Sequence, residues 1–156
     1  MSYDFKTLKT AKPREEDIEV PELADIWEGD GPPVWRIRSM SGDAIGFANL
    51  QASEEMQRRV KNLTEAIAAG AGLTDALMDM IGNSPDRVTP DAIRRTHYLV
   101  AGSVEPKMDF KTATQLRKTC YSAFVKITDR IIVLSGQGYD LGKSKPSGET
   151  PKSNAD

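Results

Sequence analysis

The chain has one cysteine, one histidine, few aromatic residues and no long unbroken apolar run. A lone thiol, Cys120, excludes an internal disulfide and a multi-cysteine zinc site, and it fits a reducing compartment. With His97 the only imidazole, no histidine cluster is available to hold a metal. No stretch reaches the roughly 20 apolar residues that a bilayer span requires. The first residues, with Asp4 and Lys6 among polar neighbours, lack the apolar segment of a signal peptide. Charge of one sign is missing too. The 21 basic and 23 acidic groups leave a formal charge of -2, so there is no global attraction to a polyanion, which argues against nucleic acid as a partner. The balance hides two poles. Met1 to Asp30 carries four basic and nine acidic groups, and Lys111 to Asp156 carries eight basic and four acidic ones. Such poles either stand as solvated tails, the favoured reading, or dock on each other within one chain or between chains, so a homo-oligomer stays open.

What is present is apolar material concentrated between Ile45 and Leu134, within a composition that is 38% hydrophobic. A chain of 156 residues fills one core more readily than two. The expected fold is mainly α: a small helical bundle with a short N-terminal β-hairpin and a flexible C-terminal tail. Its expected parts are a flexible arm over 1–17, a single helical domain with the hairpin over 18–134, and a flexible polar tail over 135–156.

The hairpin is expected from two short pieces. Ile18, Val20 and Leu23 form one, demoted to an edge strand by Pro21. In the other, Val34, Arg36 and Arg38 alternate with Trp35 and Ile37 on opposite faces. The turn cluster Gly29 to Pro33 lies between them. Ser41, Gly42 and Asp43 then open a long helix, with Ser41 as N-cap, and Gly70 and Gly72 stop it. Met56, Val60, Leu63 and Ile67 line one face of this helix. A short helix from about Thr74 to Gly82 is expected to turn Leu73, Leu77, Met80 and Ile81 inward. Thr89 and Pro90 start a third, with Ile93, His97 and Val100 inside and Gly102 and Pro106 closing it. The spacing of Ala113, Leu116, Cys120, Phe124, Ile127, Ile131 and Leu134 predicts one continuous spine helix from about Asp109 to Leu134.

Chemical motifs are weak. Gly138 to Ser144 ends in Gly142-Lys143-Ser144, but a phosphate-binding loop needs four residues between its glycines, and Gly138 and Gly136 leave three and five. That segment also follows a helix and runs into Pro146, whereas a nucleotide loop leads from a strand into a helix. His97 and Cys120 could act as a base and nucleophile only if the fold joined them, and Cys120 sits on the apolar stripe, where an inert buried thiol is expected. Asp75 with Asp79, and Glu54 with Glu55, read as surface carboxylates without a supporting constellation. Arg94 and Arg95, with Arg87 nearby, read as a solvated or partner-facing patch. Neither a catalytic set, a cofactor nor a metal is therefore expected. Trp27 and Trp35 flank the turn in a region of little other apolar mass, either anchoring the hairpin or forming a binding hot spot, with the anchor favoured. Tyr139, Leu141 and Lys143 make the polar tail a candidate recognition segment.

Three places carry a resemblance. They are Ile18-Glu19-Val20-Pro21-Glu22-Leu23; Val34-Trp35-Arg36-Ile37-Arg38-Ser39-Met40-Ser41-Gly42-Asp43 running into a helix; and Ile131-Ile132-Val133-Leu134-Ser135-Gly136-Gln137-Gly138, followed by Gly142-Lys143 and Pro146-Ser147-Gly148. In layout and at these places the chain resembles the small bacteriophage tail assembly chaperones. The resemblance implies a noncatalytic helical protein of the host cytoplasm that binds the tape measure protein, assists assembly of the tail tube protein around it, and is absent from the mature virion. It carries no contact residue across. A structural component of a phage tail or head-tail connector is the alternative, and a small helical nucleic-acid-associated regulator the third reading.

Overall fold

The computed structural model describes residues 11–81 and 88–136. The fold is mainly α with a small antiparallel sheet at its N-terminal side. Strands β1 (Glu15–Glu19) and β2 (Val34–Arg38) form the expected hairpin, pairing Glu15 with Arg38 and Glu19 with Val34. Bonds from Ser39 N to Arg14 O (2.8 Å) and Val20 N to Pro33 O (2.9 Å) extend the ladder at both ends. The strand thus starts three residues ahead of the expected boundary at 18, because Glu15 to Asp17 have ladder partners on β2. After β1, Pro21 opens a short 3-10 turn (Pro21–Ile26) that buries Leu23. The alternation in β2 is as expected: Trp35 and Ile37 are buried, and Arg36 and Arg38 are exposed. A third strand, β3 (Ser103–Glu105), was not expected. Three residues cannot display an alternation, yet they pair with β2 on the side away from β1, with a register irregularity between Arg36 and Ile37.

Helix α1 (Gly42–Ala69) begins as the sequence indicates, with Ser41 Oγ accepting from Ala44 N at 3.2 Å, and ends at Gly70 in a left-handed conformation (φ 65). Helix α2 (Leu73–Met80) follows after a three-residue connection, short enough to make the two helices antiparallel neighbours. Helix α3 (Pro90–Gly102) is capped by Thr89 Oγ1, which accepts from Ala92 N at 3.2 Å. Its deepest residues are Thr96, Tyr98, Leu99 and Gly102, so the expected inner set of Ile93, His97 and Val100 is displaced by one position and only half-buried.

The expected single spine is two helices, α4 (Phe110–Thr119) and α5 (Tyr121–Leu134). Cys120 between them leaves helical geometry (φ -137, ψ 74), although no glycine or proline marks the place. The apolar stripe survives the break: Ala113, Leu116, Phe124, Ile127 and Ile131 are all buried. The change of direction lets α4 and α5 both pack on α3, which one straight rod crossing α3 could do only at one place.

Sheet and helices are joined by specific bonds. Trp35 Nε1 donates to Ser103 Oγ (3.1 Å), Arg38 Nε to Ala101 O (3.0 Å) and Met40 N to Ser135 Oγ (2.9 Å). Arg130 clasps Glu16 with two bonds of 2.8 Å, and Lys126 reaches Glu22 at 3.3 Å. Part of the acidic N-terminal pole is therefore docked on part of the basic C-terminal pole within one chain, where the sequence reading favoured solvated tails.

Candidate partner-binding surface

The apolar stripe that defines α1 in the sequence does not face the core. Met56 is 41% exposed, Val60 46% and Ile67 62%, while the residue fully buried on that stretch is Arg59. The same inversion holds on α2, where Leu73, Leu77 and Ile81 are exposed and Asp79 is buried; Met80 alone of the expected inward set is partly buried. Helical phase explains it. At about 100° per residue, Ala48, Ala52, Arg59 and Ala66 share one side of α1, and this small-residue side lets α3 and then α2 approach closely. The larger side chains are left turned roughly a quarter-turn away.

The centre of the α1–α2 hairpin is polar. Arg59 Nη1 donates to Asp79 O (2.8 Å), Nη2 to Val88 O (2.6 Å) and Nε to the Glu55 carboxylate (3.1 Å), with the Asp79 carboxylate 4.0 Å from Nε. One guanidinium thus ties together the end of α2, the approach to α3 and its own helix. Glu55 also accepts from Arg58, and that bond, joined by Arg59, holds its carboxyl below the usual range against the desolvation that opposes it. The stretch reads as an arm held rigid by a buried polar clasp, with its greasy residues outside.

The two tryptophans part company. Trp35 is the anchor, buried and bonded to Ser103. Trp27, 40% exposed, folds its indole over Gly29, where an added Cβ would lie 2.6 Å from the ring. It borders a cleft of about 530 Å³ whose apolar floor includes Leu23 and Trp35, and whose rim carries Asp17, Arg36 and Glu105. These rim charges are already engaged, Arg36 lying 2.7 Å from Asp17 and 3.8 Å from Glu105. Tyr139, Leu141 and Lys143, and the glycine-lysine-serine segment, lie outside the described residues.

No reactive pair is assembled from the other candidates. The Cys120 sulfur meets the Glu22 carbonyl at 3.6 Å and Ser122 Oγ at 3.9 Å. The thiol is half-buried at a helix junction rather than deep in the stripe, a consequence of the break in the spine. His97 sits between two rings, Phe47 edge-on at 5.2 Å and Phe110 at 4.8 Å. Arg95 is tied to Asp91 (2.9 Å) and Asp129 (2.5 Å), and Arg94 to Asp91, so two members of the expected basic patch are neutralised locally; Arg87 lies outside the described residues. Among the described residues no group of three or more His, Cys, Asp or Glu side chains converges as a metal site, and no helix is long and apolar enough to cross a membrane.

Burial between the two rings disfavours the imidazolium and lowers the His97 pKa from its ordinary value of 6.5. As pH falls through that value the unfolded chain takes up a proton before the folded one does, so stability declines until the folded pKa is passed. His97→Gln removes this component. Thermal melts at pH 7.5 and pH 5.5 are expected to differ less for the variant than for the parent; an equal or larger difference would locate the acid sensitivity elsewhere.

Comparison of the chain with protein-family models, with curated proteins and with solved structures yields no match in any of the three.

Proposed function

We propose that the protein is a noncatalytic bacteriophage tail assembly chaperone. It holds apolar helical segments of the tape measure protein soluble in the host cytoplasm, helps bring tail tube subunits around them, and is left out of the finished virion. The observation carrying this reading is the apolar face of the α1–α2 hairpin, with Met56, Val60 and Ile67 on one helix and Leu73, Leu77 and Ile81 beside it. An amphipathic client helix covers such a face by the burial that builds any helical bundle, each fully buried Leu or Ile contributing roughly 1.5 to 3 kcal/mol. Several half-exposed side chains of this kind suit transient capture, since part of their surface is already covered in the free protein. The resemblance to tail assembly chaperones in the sequence supports the choice of client.

Coexpression with tape measure fragments followed by size exclusion tests the reading. The fragment is expected to stay soluble and co-elute with the protein, and to be lost to aggregates when Val60→Glu and Leu77→Glu are introduced together. A fragment that aggregates to the same extent with or without the protein would refute the role. Mass spectrometry of finished particles separates the chaperone from a tail or connector component, which would be present there in stoichiometric copies.

A further inference from the structure

The exposed stripes of α1 and α2 form one continuous face. Around α1, Met56, Val60 and Ile67 fall within about 40° of one another, and around α2 Leu73, Leu77 and Ile81 fall within about 80°. The α1 set is turned roughly a quarter-turn from Arg59, and the α2 set roughly a quarter-turn from the mean direction of Ala76, Asp79 and Met80, the residues of that helix that are not exposed. Antiparallel helices have opposite rotational sense when viewed from one end, and this brings both stripes to the same side of the hairpin. Leu63 and Met80, both partly buried, lie between them.

We infer that the resting occupant of this face is a second copy of the chain, two hairpins closing into a four-helix bundle about a two-fold axis. Three observations favour a copy over other occupants. The face exposes on the order of 600 Å² in its six large apolar residues, close to the ~800 Å² per partner of a standard interface once its rim is added. Among the described residues that rim is uncharged: Ser53, Gln57 and Thr64 border the stripe on α1, and Thr74 borders it on α2. A two-fold contact sets a surface against its own like, so charges at the border would meet their own sign, and here the nearest described ones, Glu54 and Lys61 on α1 and Asp75 on α2, lie farther round their helices. The hairpin is also held by the buried Arg59 clasp, so it is ordered before pairing and loses little freedom on association. Self-pairing and client capture then compete for one face, and the copy keeps the stripe covered until a client displaces it. The pairing itself does not depend on the identity of the client.

Sedimentation equilibrium of the full chain without any client tests the inference. The expected result is a reversible dimer of the 17.1 kDa chain at tens of micromolar. Val60→Glu and Leu77→Glu, at exposed sites that leave the helical circular dichroism unchanged, should each weaken association at least about tenfold, while Ile26→Glu, exposed beside the cleft, should not. A monomer up to hundreds of micromolar would overturn the inference, as would open-ended assembly or a dimer broken by Ile26→Glu and indifferent to the other two. Client capture in coexpression is scored separately, so either result can fail without the other.

Discussion

Arg59→Met is expected to lower stability to urea by about 3 kcal/mol and to release α2 from α1. Arg59 is 1% exposed, and its guanidinium donates to the carbonyls of Asp79 and Val88 and to the Glu55 carboxylate. Methionine fills a similar volume but donates nothing, leaving two carbonyls short of a donor and removing the Arg59 charge from beside the buried Asp79 carboxylate. Coulombic attraction across 4.0 Å is the smaller part of the effect, since burying an ion pair costs about as much as the pair returns. The penalty comes from breaking the set on one side. Arg59→Met combined with Asp79→Leu should therefore recover part of the loss, and a double variant as unstable as the sum of two singles would mean that the clasp does not act as a unit. Equilibrium unfolding of the four proteins decides it.

Gly102→Val is the second large effect. A Cβ placed on Gly102 would lie 2.6, 2.8 and 2.9 Å from three carbons of the Ile131 side chain, so α3 and α5 touch there with no room for a methyl group. Ile131 is fully buried and cannot swing into solvent. Overpacking of a filled core typically costs 1 to 3 kcal/mol, and valine, with two further methyl groups to place, should reach about 3 kcal/mol or fail to fold. Gly102→Ala should cost about 1 to 2 kcal/mol and be partly rescued by Ile131→Val, which removes one of the opposing carbons. A Gly102→Ala variant as stable as the parent would show that the contact relaxes without strain.

These two residues mark where the sequence is readable and where it is not. Local signals read well. The caps at Ser41 and Thr89 and the stop at Gly70 are chemistry within a few residues, and each is found in place. The alternation of β2 is equally local, and so is its pairing with β1. Gly102 looks like punctuation at the end of a helix, and it does end α3, but its absent side chain matters because of Ile131, 29 positions later. Periodicity shows that α1 is amphipathic without showing which side meets the protein. The largest side chains suggest one side, and close packing uses another, lined by alanines and Arg59. The spine breaks at Cys120 to follow α3, which is a tertiary demand with no local letter. β3 exists because β2 offers it an edge. For the surface, the stripe residues were legible and their exposure was not, whereas Trp35 could be read as an anchor because little else apolar lies near it.

The proposed client site is the outward face of α1 and α2. Photo-cross-linking in the coexpressed complex tests it most directly, with a reactive residue placed at Leu77 in one protein and at Trp27 in another. The expected result is an adduct with the tape measure fragment from position 77 and none from position 27. Adducts from position 27 alone would place the contact at the cleft beside the sheet and contradict the assignment.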